Sequence, residues 1–106
     1  MMNLGIDGFN WDSGNSEKIK THGLSRKEVE AFFQQESVYV APDIKHSEKE
    51  ERYLAVGSSS KGRPMLVVFT FRENEEERLI RPISARYMQD KEAKRYEEES
   101  AKIEKR

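Results

Sequence analysis

The sequence predicts an α+β domain with two short helices, a four-stranded antiparallel sheet and a closing helix. Three observations lead there. Val29, Phe32 and Phe33 recur at helical spacing, giving one apolar face. Residues 52–56 alternate, with Arg52, Leu54 and Val56 on one parity and Tyr53 and Ala55 on the other, as a half-buried strand does. The run PMLVVFTF, residues 64–71, is continuously apolar and suits a central strand covered on both faces.

Each element has its own signals. In the segment from Phe9 and Trp11, Asp12 can cap a short helix running through Lys18 and Lys20 to Gly23, against the cost of Gly14 in its first turn. Ser25 and Glu28 have capping-box spacing for the second helix, and Leu24 before the cap can staple onto Val29. Residues 37–43 read as a strand stopped at Pro42, and DIKHSEKEE as a polar loop. Strands at 52–60, 64–71 and 79–87 follow, joined by KGR and by the acidic hairpin RENEEER. Residues 89–105 form a polar helix in which only Ala93, Tyr96 and Ile103 keep an apolar stripe. The expected architecture is a meander with helices on one face.

At 106 residues the chain is read as one domain, 1–106, with about residues 97–106 as a fraying tail. The absence of cysteine excludes a disulfide framework and a thiolate metal site. No apolar run approaches the roughly 20 residues that span a bilayer, and the start MMNLGIDGFNW lacks the pattern of a secretory signal. A cytoplasmic location is expected. The net charge of −1 gives no global attraction to nucleic acid, but it conceals an uneven distribution. Acidic residues crowd 73–77 and 97–99, whereas Arg52, Lys61, Arg63, Arg81 and Arg86 lie in or beside the strands.

That arginine set is the candidate chemistry. A guanidinium is always charged and donates in a fork that matches phosphate, although pairing with the many glutamates is the commoner use. On spacing alone, ion pairing stays ahead of phosphate binding. Arg81 and Arg86 are five residues apart, so a regular strand points them to opposite faces. Pro82 cannot donate to a ladder and therefore implies a bulge or an edge strand at Arg81–Pro82; a bulge turns both arginines to one face. His22 and His46 are the side chains that titrate near neutrality. For His22, beside Gly23, a capping or packing role is as good a reading as a functional one; His46, in its polar loop, leans toward function. Their spacing does not suggest a metal site, and no Gly-rich phosphate loop or nucleophile elbow is present.

Several stretches taken together, FNWD, KTHGLSRKEVEAFF, DIKHSEKEERYLAVGSSSKGR, LIRPISARYM and YEEE, resemble the BrnT family of toxins across about residues 9–98. The resemblance implies a RelE-like fold and a metal-independent endoribonuclease, with no cofactor, that arrests translation. It also implies a cognate BrnA-like ribbon-helix-helix antitoxin that reaches operator DNA on the pair's behalf. The residues matching family motifs are His22, His46, Arg52, Arg63, Arg81 and Arg86. The resemblance does not divide the chemistry among them; on chemical grounds Arg52 and Arg86 are assigned the scissile phosphate, His46 ahead of His22 the proton transfer, and Lys61, Arg63 and Arg81 the RNA backbone. A different reading is a non-catalytic module of the same fold whose basic surface grips an acidic partner segment.

Overall fold

A computed structural model describes residues 5–35, 37–46 and 48–104, with the side chains of His46 and of residues 100–104 outside the described set. A two-residue strand β1 (Gly8–Phe9) leads into helices α1 (Ser13–Lys20) and α2 (Arg26–Phe33). Strand β2 (Tyr39–Pro42) and a 3-10 turn (Ile44–His46) follow, then β3 (Tyr53–Ser58), β4 (Pro64–Asn74), β5 (Glu77–Tyr87) and helix α3 (Asp90–Glu104). The α+β class and the three helices are as expected. The sheet is not the expected four-stranded antiparallel meander: it has five strands in the order β1-β5-β4-β3-β2, with β1 parallel to β5. The acidic hairpin is also shorter than its composition implies. Asn74 pairs with Glu77, so β4 and β5 extend well beyond Phe71 and before Leu79, and Glu75 turns the chain at φ +57°.

The helices form for the reasons the sequence offers. Asp12 caps α1 by accepting the Asn15 N–H, while the Asn15 side chain accepts the Asp12 N–H in return. Ser25 caps α2 by accepting the Glu28 N–H. Ile19, Leu24, Val29, Phe32 and Phe33 are buried with Ala55, Met65, Val67, Phe69, Ile80 and Ala85 from one face of the sheet. Phe33 stands edge-on to Phe69 at 5.2 Å between ring centroids. Burial of these large side chains is the main stabilisation of so small a domain.

Helix α3 departs from the one-face expectation. Tyr39, Val56, Leu66 and Arg86 are successive cross-strand partners, so they share the face opposite the core. There Tyr96 of α3 lies 6.5 Å from Tyr39, and an apolar groove of about 490 Å³ runs between Leu54, Val56, Leu66 and the helix. The weak apolar stripe of α3 could not specify which face it covers.

The irregularity expected beside Arg81 is present as a bulge, one residue further on. Ser84 pairs with Val68 but Pro82 pairs with Phe69, leaving Ile83 as the extra residue. Strand β1 pairs with β5 only at Leu79 and Ile80, so from Arg81 onward that side of β5 has no strand partner and the Pro82 carbonyl is met by the Asn15 side chain instead. Arg81 is opposite Thr70 and Arg86 opposite Leu66, four residues apart on unbulged β4, so both arginines point to the same face.

Candidate functional site

The sheet divides the arginines between two pockets. Thr70 and Leu66 mark positions about 13 Å apart along β4 at about 3.3 Å per residue. Arg81 belongs to the first position and Arg86 to the second. Arg52, immediately before β3, joins Arg81, because Tyr53 pairs with Phe69 next to Thr70. Arg52 and Arg86 therefore line different pockets.

The first pocket, about 510 Å³, is lined by Lys18, Arg52, Arg72 and Arg81, with Asp12 and Glu50 as its carboxylates. Arg81 donates to Asn10 Oδ1 at 2.8 Å and Asp12 Oδ2 at 2.9 Å. The Asp12 carboxyl is held below its ordinary value, first by the Asn15 N–H and then by Arg81. Glu50 bridges Arg72 at 2.9 Å and Arg52 at 3.7 Å. Four cations against two carboxylates leave the pocket positive.

The second pocket, about 540 Å³, is lined by His22, Gly23, Arg63, Arg86, Tyr87 and Gln89. His22 reaches it from the turn after α1, where Gly23 at φ +76° reverses the chain at a value other residues rarely adopt. Arg63 comes from the β3–β4 turn. The Ser59 hydroxyl accepts the N–H groups of Lys61 and Arg63 there, and Gly62 takes φ +79°. The Arg63 guanidinium lies 3.9 Å from the centroid of the Tyr87 ring, and the Tyr87 hydroxyl donates to Glu28 at 3.2 Å. Arg86 donates through Nη1 and Nη2 to both oxygens of Glu92 at 2.8 and 2.9 Å. That fork, with the Gln89 N–H, pulls the Glu92 carboxyl down to about 2.

Of the residues singled out in the sequence, His22, Arg63 and Arg86 come together, and so do Arg52 and Arg81. Lys61 is exposed on the turn beside Arg63. His46 ends the 3-10 turn, and its side chain lies outside the described residues. Among the described residues no group of three or more His, Asp or Glu side chains is placed to hold a metal ion.

Sequence reasoning missed Asn15, Arg72 and Glu92. Asn15 is only 5% exposed and donates from Nδ2 to the carbonyls of Pro82 at 2.8 Å and Asn10 at 3.0 Å. Its signal is the D-x-x-N spacing from Asp12. Arg81 and Arg86 on β5 are each held by a carboxylate that also caps a helix: Asp12 for α1 and Glu92, three residues after Gln89, for α3.

Guanidinium groups thus line both pockets, joined by a lysine of α1 in the first and by an imidazole from the turn after α1 in the second. A family model described as the ribonuclease toxin BrnT of a type II toxin-antitoxin system matches residues 11–92, and the chain belongs to that family. The match runs from Trp11 just before α1 to Glu92 in the first turn of α3, and so encloses both pockets. A search of curated proteins finds no match. No described helix is long and apolar enough to cross a membrane.

Proposed function

We propose that this toxin cleaves RNA without a metal ion, using the pocket of His22, Arg63 and Arg86 as its catalytic centre. The carrying observation is that one cavity gathers an imidazole and two guanidiniums from three separate elements. In this scheme His22 takes the proton of a ribose 2′-hydroxyl, whose oxygen attacks the adjacent phosphorus. The bond to the 5′-oxygen breaks, and the imidazolium returns the proton to that leaving oxygen. The products are a 2′,3′-cyclic phosphate and a 5′-hydroxyl. Arg86 and Arg63 stabilise the additional negative charge on phosphorus, a contribution of a few kcal/mol for each well-aimed donor. Lys18, Arg52, Arg72 and Arg81 hold the RNA backbone further along the sheet, and Lys61 extends the contact at the turn. His46 is the competing proton carrier.

A type II toxin has a protein antitoxin. We assign that role to a BrnA-like ribbon-helix-helix partner, with a RelE-like toxin fold and action in the cytoplasm. The deciding experiment is cleavage of RNA by purified protein in excess EDTA. Expected are undiminished cleavage by the wild type, a large loss in Arg86→Ala and His22→Ala, and a smaller loss in Arg52→Ala. Loss of wild-type activity in EDTA, or full activity of Arg86→Ala, overturns the scheme. The non-catalytic alternative draws on the carboxylates already paired with Arg72, Arg81 and Arg86. It requires that expression be harmless to growth, whereas the nuclease reading requires arrest relieved by the antitoxin.

A further inference from the structure

Arg86 has five N–H donors, and the structure accounts for three of them. Nη1 donates to Glu92 Oε1 and, at 3.3 Å, to the Tyr87 carbonyl; Nη2 donates to Glu92 Oε2. The carboxylate therefore occupies the end of the guanidinium. What remains is the side edge, Nε–H together with the second Nη2–H, two parallel donors with the spacing of phosphate oxygens. Among the described residues no acceptor is bound at that edge.

Glu92 is itself fixed. Its Oε1 accepts the Gln89 N–H at 3.0 Å in the first turn of α3, and the preceding corner is tied down by the Met88 N–H on the Pro64 carbonyl at 2.9 Å. A long, half-exposed arginine loses its rotational freedom when a carboxylate anchored to a helix grips one end. The two pairs differ in geometry. Arg81 shares its guanidinium between an amide oxygen and one carboxylate oxygen, whereas Arg86 receives a full bidentate grip.

We propose that Glu92 is a positioning residue for the ribonuclease reaction, clamping the end of Arg86 so that its Nε edge is presented to the scissile phosphate. This rests on the assignment of Arg86 to that phosphate. The chemistry sets a clear alternative: the carboxylate could hold the place of the phosphate and have to be displaced by it. The two have opposite consequences for catalysis.

The test is steady-state cleavage of a short fluorogenic RNA by wild type, Glu92→Gln, Arg86→Ala and the double variant, with a melting curve for each. Glutamine at this helix position still accepts the Gln89 N–H, so Glu92→Gln keeps the cap and removes the charge of the clamp. The expected result is a kcat about 10-fold lower with KM little changed, the signature of a displaced catalytic group. The double variant is expected to be no slower than Arg86→Ala, because Glu92 acts through Arg86. If Glu92→Gln melts before assay, Glu92→Asp, which keeps the charge and withdraws it by one methylene, carries the same expectation. Wild-type or higher kcat in the Glu92 variant, with Arg86→Ala impaired, overturns the positioning role and leaves the catalytic assignment standing. Additive losses in the double variant overturn it as well. Full activity of Arg86→Ala instead removes the catalytic assignment on which it rests.

Discussion

Replacing Asn15 by alanine removes three hydrogen bonds at once: those to the Pro82 and Asn10 carbonyls and that from the Asp12 N–H. The side chain is almost wholly buried, so water cannot fully replace it. At roughly 0.5–1.5 kcal/mol per bond, the loss is about 3 kcal/mol, with the buried Pro82 carbonyl left unsatisfied. For a domain of this size that lowers Tm by roughly 12–24 °C. Asn15→Asp keeps an acceptor for the Asp12 N–H but turns a carboxylate oxygen toward two carbonyls beside the Asp12 charge, so it is expected to be no more stable than the alanine variant. Urea and thermal melts with an unchanged m-value measure the effect. A loss below about 1 kcal/mol in both variants refutes the view that Asn15 anchors the bulge to α1.

Two further outcomes follow from charge and backbone geometry. Glu92 has a carboxyl held at about 2 against an ordinary 4.5, so its stabilising effect is complete above about pH 4.5 and is lost as pH falls toward 2. With both partners more than a third exposed, solvent screening reduces that effect to about 1 kcal/mol, and Glu92→Gln should flatten this part of the acid-stability profile. At the β4–β5 turn, Glu75 holds φ +57°, a conformation that costs a residue with a Cβ about 1 kcal/mol relative to glycine. Glu75→Gly is expected to raise stability by about 0.5–1 kcal/mol, and a fall in Tm would contradict that.

What could be read from the sequence was what local chemistry encodes. Asp12 and Ser25 announce the helix starts because capping is settled within three residues. Pro82 announced the irregularity, since a residue without an N–H in a strand implies a bulge or an unpaired side. Strand β1 gave no such notice: Gly8 and Phe9 form it only by pairing with Leu79 and Ile80, and two residues have no period. The hairpin misled because its acidic composition suggests a wide loop. In the structure Glu73 pairs with Arg78, whose guanidinium lies 4.0 Å from the centroid of the Phe71 ring. The site divides the same way. That Arg81 and Arg86 share a face follows from one strand, whereas the grouping of Arg52 with Arg81, and of His22 and Arg63 with Arg86, depends on register between distant segments.

The short parallel strand β1 also fixes an order of events. Asp7 accepts the Arg78 N–H across 71 residues of chain, and Asn10 and Asp12 reach Arg81 over nearly the same interval. Contacts so far apart in sequence form only after the entropy of closing the intervening loop has been overcome. During synthesis the first of these residues leaves the ribosome long before its partners exist. The core of α2 and the middle strands can therefore gather early, while the docking of α1 and the grip on Arg81 wait for β5. A truncation before β5 would leave Asp12 capping its helix with no arginine to hold.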